Sequence, residues 1–176
     1  TNDDVLNAIA DIYGMNKNQI VVGNGAAELL YAICRLPGYT GAFVPAPGFS
    51  EYKAALEASR IPVRDIYYRP REDEHGKPYF EVPYLALETF AAELKGQDGR
   101  IIVFLGNPNN PDGTLLDKNH IRTIASMLKD ANSLLVIDES FIDFIGNESL
   151  RDNSYSMREL INQYDNVIIV HSFTKF

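Results

Sequence analysis

Six short apolar runs punctuate the chain: Ile20–Val22, Ala42–Pro45, Val63–Tyr68, Arg100–Leu105, Leu134–Asp138 and Val167–His171. Several are nearly continuous in Val, Ile, Leu and Phe. Such runs predict strands buried on both faces, as in a parallel sheet covered by helices. Between them lie stretches with helical spacing: Asp3–Tyr13, Ala26–Leu36, Phe49–Ser59, Pro83–Lys95, Asp117–Asp130 and Tyr155–Tyr164. Gly14 and Pro37-Gly38 stop the first two. In the fifth, Ile121, Ile124, Ala125 and Leu128 fall on one face, and Asp117 and Asn119 suit its first turn. Arg69–Val82, rich in Pro, Gly and charge, reads as a surface loop. Strand–helix alternation without a dividing linker predicts a three-layer α/β/α fold around a mainly parallel, doubly wound sheet.

Composition narrows the classes of function. The chain has 176 residues, 45% of them hydrophobic and 23% charged, which suits one soluble domain with a sizeable core. Sixteen Lys and Arg against 24 Asp and Glu give a net charge of -8, so nucleic acid and anionic membranes are poor partners. No apolar run approaches the roughly 18 residues of a membrane span. The start, Thr1-Asn2-Asp3-Asp4, lacks the basic and apolar regions of a signal peptide. It also lacks an initiator Met, from which the expectation is a chain cut from a longer protein. Cys34 is the only cysteine, so a disulfide framework is excluded. Cys34 reads as a small core residue on a helix, and a reducing cytoplasm is the expected location.

In open α/β sheets, ligands sit at the carboxyl ends of strands, so the residues just after each run carry the chemistry. Gly23-Asn24-Gly25 permits a tight turn, and the Ala26 and Ala27 amides beyond it would face a bound phosphate. With Glu28 where the dinucleotide fingerprint wants a third glycine, that fingerprint is incomplete. In Asn107–Gly113, the prolines hold their neighbours extended, so Asn110 presents a rigid carboxamide. Asp138 ends four apolar residues and is either a helix-cap or surface-turn acid, or a buried carboxylate that calls for a cationic partner. Lys175, beyond Val167–His171, is either an exposed strand-end lysine or an amine nucleophile for a carbonyl compound, which needs burial and a nearby cation. His171 has no second ligand at metal spacing and reads as structural.

Together, Gly25-Ala26-Ala27-Glu28, Pro47-Gly48-Phe49-Ser50-Glu51-Tyr52, Pro108-Asn109-Asn110-Pro111-Asp112-Gly113, Asp138-Glu139-Ser140-Phe141 and Ser172-Phe173-Thr174-Lys175 resemble the motifs of fold type I pyridoxal-phosphate (PLP) enzymes. This is the class I/II aminotransferase superfamily, and the motifs occur in its order over essentially the whole chain. The chain looks like the branch of histidinol-phosphate aminotransferase and threonine-phosphate decarboxylase. Gly23-Asn24-Gly25, the Pro47–Tyr52 stretch, Phe141-Ile142-Asp143-Phe144 and the ending Thr174-Lys175-Phe176 look closer to the decarboxylase.

The resemblance implies roles. Lys175 would hold PLP through its amine and then act as acid and base. Asp138 would keep the pyridine nitrogen protonated, making the ring an electron sink. Asn110 would donate to the ring hydroxyl oxygen, and Phe49 would stack on the ring. Ala26, Ala27 and Ser172 would hold the phosphate. Phe141 stands where the family often has a donating Tyr, and Asp112 where it usually has Thr. The resemblance further implies that the chain is most of the large domain, without the N-terminal arm and small C-terminal domain. By itself it is expected to be inactive. The full protein would be a homodimer acting on a phosphorylated amino acid or amine, by decarboxylating L-threonine phosphate in cobalamin synthesis or by transaminating histidinol phosphate. The rivals are a non-catalytic PLP-binding regulator and an unrelated nucleotide-binding domain.

Overall fold

The computed structural model describes residues 2–145, 154–173 and 175. Thr1, Thr174 and Phe176, which belong to stretches discussed above, lie outside the described residues. Helix α1 (Asn2–Tyr13) leads through a 3-10 turn at Lys17–Gln19 to α2 (Gly25–Cys34). Strand β1 (Tyr39–Ala46), α3 (Ser50–Ala58) and β2 (Val63–Tyr67) form a parallel unit. Strands β3 (Arg69–Glu72) and β4 (Pro78–Glu81) make an antiparallel hairpin. Then come α4 (Tyr84–Glu93), β5 (Arg100–Gly106), α5 (Lys118–Asp130), β6 (Leu134–Asp138), 3-10 turns at Ile142–Phe144 and Arg158–Asn162, and β7 (Val167–Val170).

The main sheet runs β2-β1-β5-β6-β7, and every pair in it is parallel. Alternation along the strands feeds two cores. Ile101, Val103 and Leu105 of β5 and Leu135 and Ile137 of β6 pack with Leu87 of α4 and with Ile121, Ile124 and Leu128 of α5. Ile102, Phe104, Leu134 and Val136 face the other way, onto Leu30 and Ile33 of α2 and Tyr52 and Leu56 of α3. Double-sided burial is the reason these strands are apolar throughout, and the result is the three-layer α/β/α architecture. The Asp117 carboxylate caps α5, accepting from Asn119 N at 2.9 Å and His120 N at 3.1 Å. Among the described residues, no helix is long and apolar enough to cross a membrane.

Three expectations change. Ile20–Val22 forms no strand: Val21 is 78% exposed, and the segment takes no place in the sheet. Its apolar residues matched a buried strand, but three residues with no neighbouring strand build no ladder. The expected loop Arg69–Val82 is a surface hairpin instead. Asp73 closes it, with Oδ1 accepting from His75 N and Lys77 N, both at 2.9 Å, and Arg71 pairs with Glu81 across the strands. Apart from Phe80, which is half-buried against the core, the hairpin is exposed, so it carries little period-two signal. The expected helix Tyr155–Tyr164 shrinks to the Arg158–Asn162 turn, because Ser156 and Met157 are bonded to Glu139 instead of a helical ladder.

The order of connections matters for the site. From β1 the chain moves outward to β2 and later returns to β5 on the other side of β1. The exits of β1 and β5 therefore diverge at a topological switch point, where such sheets open a crevice. Packing beside that crevice is tight, which gives a testable consequence. Phe104 is fully buried beneath Tyr52, so Phe104→Ala should lower unfolding stability by about 3–5 kcal/mol. Leu85→Ala, at a 77% exposed position, should change it by less than about 0.5 kcal/mol. Denaturant midpoints of the two variants check this.

Candidate functional site

A cavity of about 210 Å³ opens at the carboxyl ends of the parallel strands. All seven residues singled out from the sequence line it: Ala26, Ala27, Phe49, Asn110, Asp138, Ser172 and Lys175. Tyr52, Pro108, Ser140 and Phe141 complete much of the wall.

The first wall is the start of α2. Asn24 occupies the N-cap, but its side chain makes no capping bond, so no side chain of the cap covers the amides that follow. The backbone N–H of Asn24 donates to Glu28 Oε2 at 2.5 Å, which fixes the turn. An uncapped helix start bordering a cavity leaves N–H groups that favour an anion. Ser172, which is buried, lies on the same cavity.

The second wall joins the exits of β1 and β5. Phe49 opens α3, and its ring meets Tyr52 edge-on, with centroids 5.6 Å apart and planes at 89°. Asn109 Nδ2 donates to Pro47 O at 3.0 Å and so ties the two exits together across the switch point. Asp112 accepts from the side chains of Asn109 and Thr114, so an acid at this position serves the turn. Both exits rely on glycine for close approach. A Cβ on Gly48 would lie 2.2 Å from Pro45 O, and one on Gly106 2.8 Å from Asn109 Cα.

The third wall is Asp138. It is 7% exposed at the end of β6 and accepts from Tyr52 Oη at 2.9 Å on Oδ2. On Oδ1 it accepts from Ser140 N at 2.9 Å and Ser140 Oγ at 2.5 Å. Every one of these donors is neutral, and no ion pair to Asp138 occurs among the described residues. A nearly buried carboxylate facing a cavity in this state is stabilised by a cation placed there. Lys175 also lines the cavity. It is exposed rather than buried, with its ammonium 5.4 Å from the centre of the Phe141 ring.

Behind these walls is a polar network that the sequence did not disclose. Glu139 is fully buried and accepts from Asn107 Nδ2 at 3.1 Å, Met157 N at 2.6 Å and Ser156 Oγ at 2.6 Å. Asn107 Oδ1 accepts from Leu116 N at 3.1 Å, which anchors both ends of the loop carrying Asn110. His171 contacts Asp143 Oδ2 and Tyr13 Oη, each at 2.9 Å, and so links α1 to the turn after β6. Burial holds His171 below its ordinary pKa against the pull of Asp143, and burial lifts the Tyr13 phenol to about 12. Sequence signals existed for Tyr52, one helical turn after Phe49, and for Ser140, at the position that bonds an Asp two residues earlier. Nothing local marked Glu139.

The family model for aminotransferase class I and II matches residues 1–176. The adenosylcobalamin biosynthesis bifunctional protein of Leptospira interrogans is 34% identical over 93% of this chain and 17% of its own length. The L-serine phosphate decarboxylase of Campylobacter jejuni is 29% identical over 99% of this chain and 41% of its own. The crystal structure of histidinol-phosphate aminotransferase from Clostridium acetobutylicum superposes with a TM-score of 0.75, at 26% identity, over 99% of this chain and 46% of that one. The chain thus spans less than half the length of these relatives.

The Glu139 network yields a pH test. Burial outweighs its three hydrogen bonds and raises the Glu139 carboxyl above its ordinary 4.5. Above 4.5 the folded chain therefore keeps a proton there that the unfolded chain has lost. That part of the stability is full below 4.5 and is lost as the pH rises through the raised value. Glu139→Gln is neutral at every pH. Its denaturation midpoint should fall less steeply than the wild type's over that window. An unchanged slope would count against burial as the dominant influence.

Proposed function

The chain belongs to the class I and II aminotransferase family, a family of pyridoxal-phosphate-dependent enzymes, and we propose that it forms the cofactor-binding part of one. The observation that carries this reading is the pairing of opposite demands in a single cavity. Asp138, held only by neutral donors, asks for a cation, and the uncapped start of α2 asks for an anion. A protonated pyridine bearing a phosphate answers both, and Lys175 adds the amine that such a cofactor needs.

Each residue then has a task. The Ala26 and Ala27 amides and the Ser172 hydroxyl hold the phosphate. Asp138 keeps a proton on the ring nitrogen. Asn110 donates to the ring hydroxyl oxygen, which Phe141 cannot do. Phe49 covers the ring face and excludes water. Lys175 holds the cofactor through its amine and afterwards moves a proton at the substrate's α-carbon. Bound there, the cofactor supplies an electron sink for the bond that breaks.

For the full protein we favour decarboxylation of a phosphorylated amino acid, with L-threonine phosphate first. This choice is supported by the decarboxylase-like stretches Gly23–Gly25, Pro47–Tyr52 and Phe141–Phe144. It is also supported by the cobalamin-synthesis and phosphoserine-decarboxylase relatives. The second reading is transamination of histidinol phosphate, favoured by the fit to that enzyme's structure. A homodimer in a reducing cytoplasm is part of the same proposal, in keeping with a single buried free cysteine.

Full-length protein mixed with PLP should develop a visible absorption band that borohydride fixes onto Lys175, located by peptide mass spectrometry. A Lys175→Ala protein that keeps the band would refute the assignment. Release of CO2 from threonine phosphate, against amino transfer from histidinol phosphate to 2-oxoglutarate, separates the two reactions.

A further inference from the structure

The donors around Asp138 carry a finer statement, which rests on Asp138 being the partner of the ring nitrogen. An ionised carboxylate offers about four lone-pair sites. Tyr52 Oη takes one on Oδ2, and Ser140 N and Oγ take two on Oδ1. Among the described residues these are the side-chain and turn donors it meets, and Asp138 borders the cavity, so its remaining accepting capacity is open to a donor from there.

Tyr52 is itself immobilised. It is 1% exposed, and its ring stacks on Phe104 with centroids 5.2 Å apart and planes 14° apart. The same ring meets Phe49 edge-on. One side chain therefore sets both the carboxylate and the aromatic wall. Burial and the neighbouring Asp138 charge raise the phenol well above its ordinary pKa, which keeps it a donor.

We propose that Tyr52 and Ser140 are positioning residues that saturate all but one acceptor site of Asp138, so that the site takes a cation with a single N–H donor. A protonated heterocyclic nitrogen fits that vacancy. An ammonium there would leave two of its three donors needing partners elsewhere in the cavity, and a metal ion would need several further oxygen ligands.

The test uses the full-length protein and equilibrium dialysis against PLP. Tyr52→Phe and Ser140→Ala should each bind PLP about tenfold more weakly, the effect of one hydrogen bond to a charged group. Asp138→Ala should bind more weakly still. In the Asp138→Ala background, Tyr52→Phe should add less than about a twofold loss, because its effect runs through the missing carboxylate. A packing role for Tyr52 would give the same loss in both backgrounds. That result, or unchanged binding by both single variants, overturns the inference and leaves Asp138 in place as the ring partner. If Asp138→Ala binds PLP as tightly as the wild type, the role of Asp138 itself fails, and this inference fails with it. Should Tyr52→Phe not fold, Ser140→Ala and its double variant with Asp138→Ala carry the same comparison.

Discussion

A carboxylate at the end of a fully buried strand has to be met by donors, because an unpaired buried ion is among the costliest features a fold can hold. Much of the site follows from meeting that need at Asp138. The helix α3 is placed so that Tyr52 reaches across 86 residues of sequence to one oxygen. The turn after β6 folds back so that Ser140 reaches the other. None of these donors is charged, so the acid is kept soluble in the core without being neutralised. The charge is left available to the cavity.

The parallel sheet makes this possible. Strands β1, β5 and β6 end at one edge, and their exits bring an aromatic ring, a carboxamide and the acid to a common space. The helix start at Gly25 faces the same space from outside the sheet. The cavity thus has an acid on one wall and an uncapped helix start on another without any excess of positive charge, in keeping with a chain of net charge -8.

The parts of this that the sequence disclosed share a physical property. Strands buried on both faces read as continuous apolar runs, and residues following them fall at the ligand edge by topology alone. Ile101–Leu105 and Leu134–Ile137 were legible for that reason, and so were Asn110 and Asp138. Ile20–Val22 has the same composition, but its surroundings decide whether it is covered, and no local signal reports that. The β3–β4 hairpin is exposed except at Phe80 and has little periodicity to detect. The Tyr155–Tyr164 periodicity was overridden by a long-range acceptor, Glu139, whose bonds to Ser156 and Met157 set the backbone there. Tyr52, Ser140 and Glu139 stood inside the motifs, but their supporting roles were not legible, for a related reason. Each acts on a partner that only the folded chain brings near, and their residue types are ordinary for a helix or a turn.

The glycines at the strand exits carry one more consequence. Gly48 and Gly106 sit on either side of the switch point, and neither has room for a methyl group. The two loops that frame the cavity are therefore locked at their roots, and variation there would displace Phe49 or Asn109 before it altered any contact with a ligand. Diversification of this scaffold, by evolution or by a designed library, is channelled away from loop reshaping. New specificity has to come from exchanging side chains on a fixed frame, or from segments of the protein that close over it.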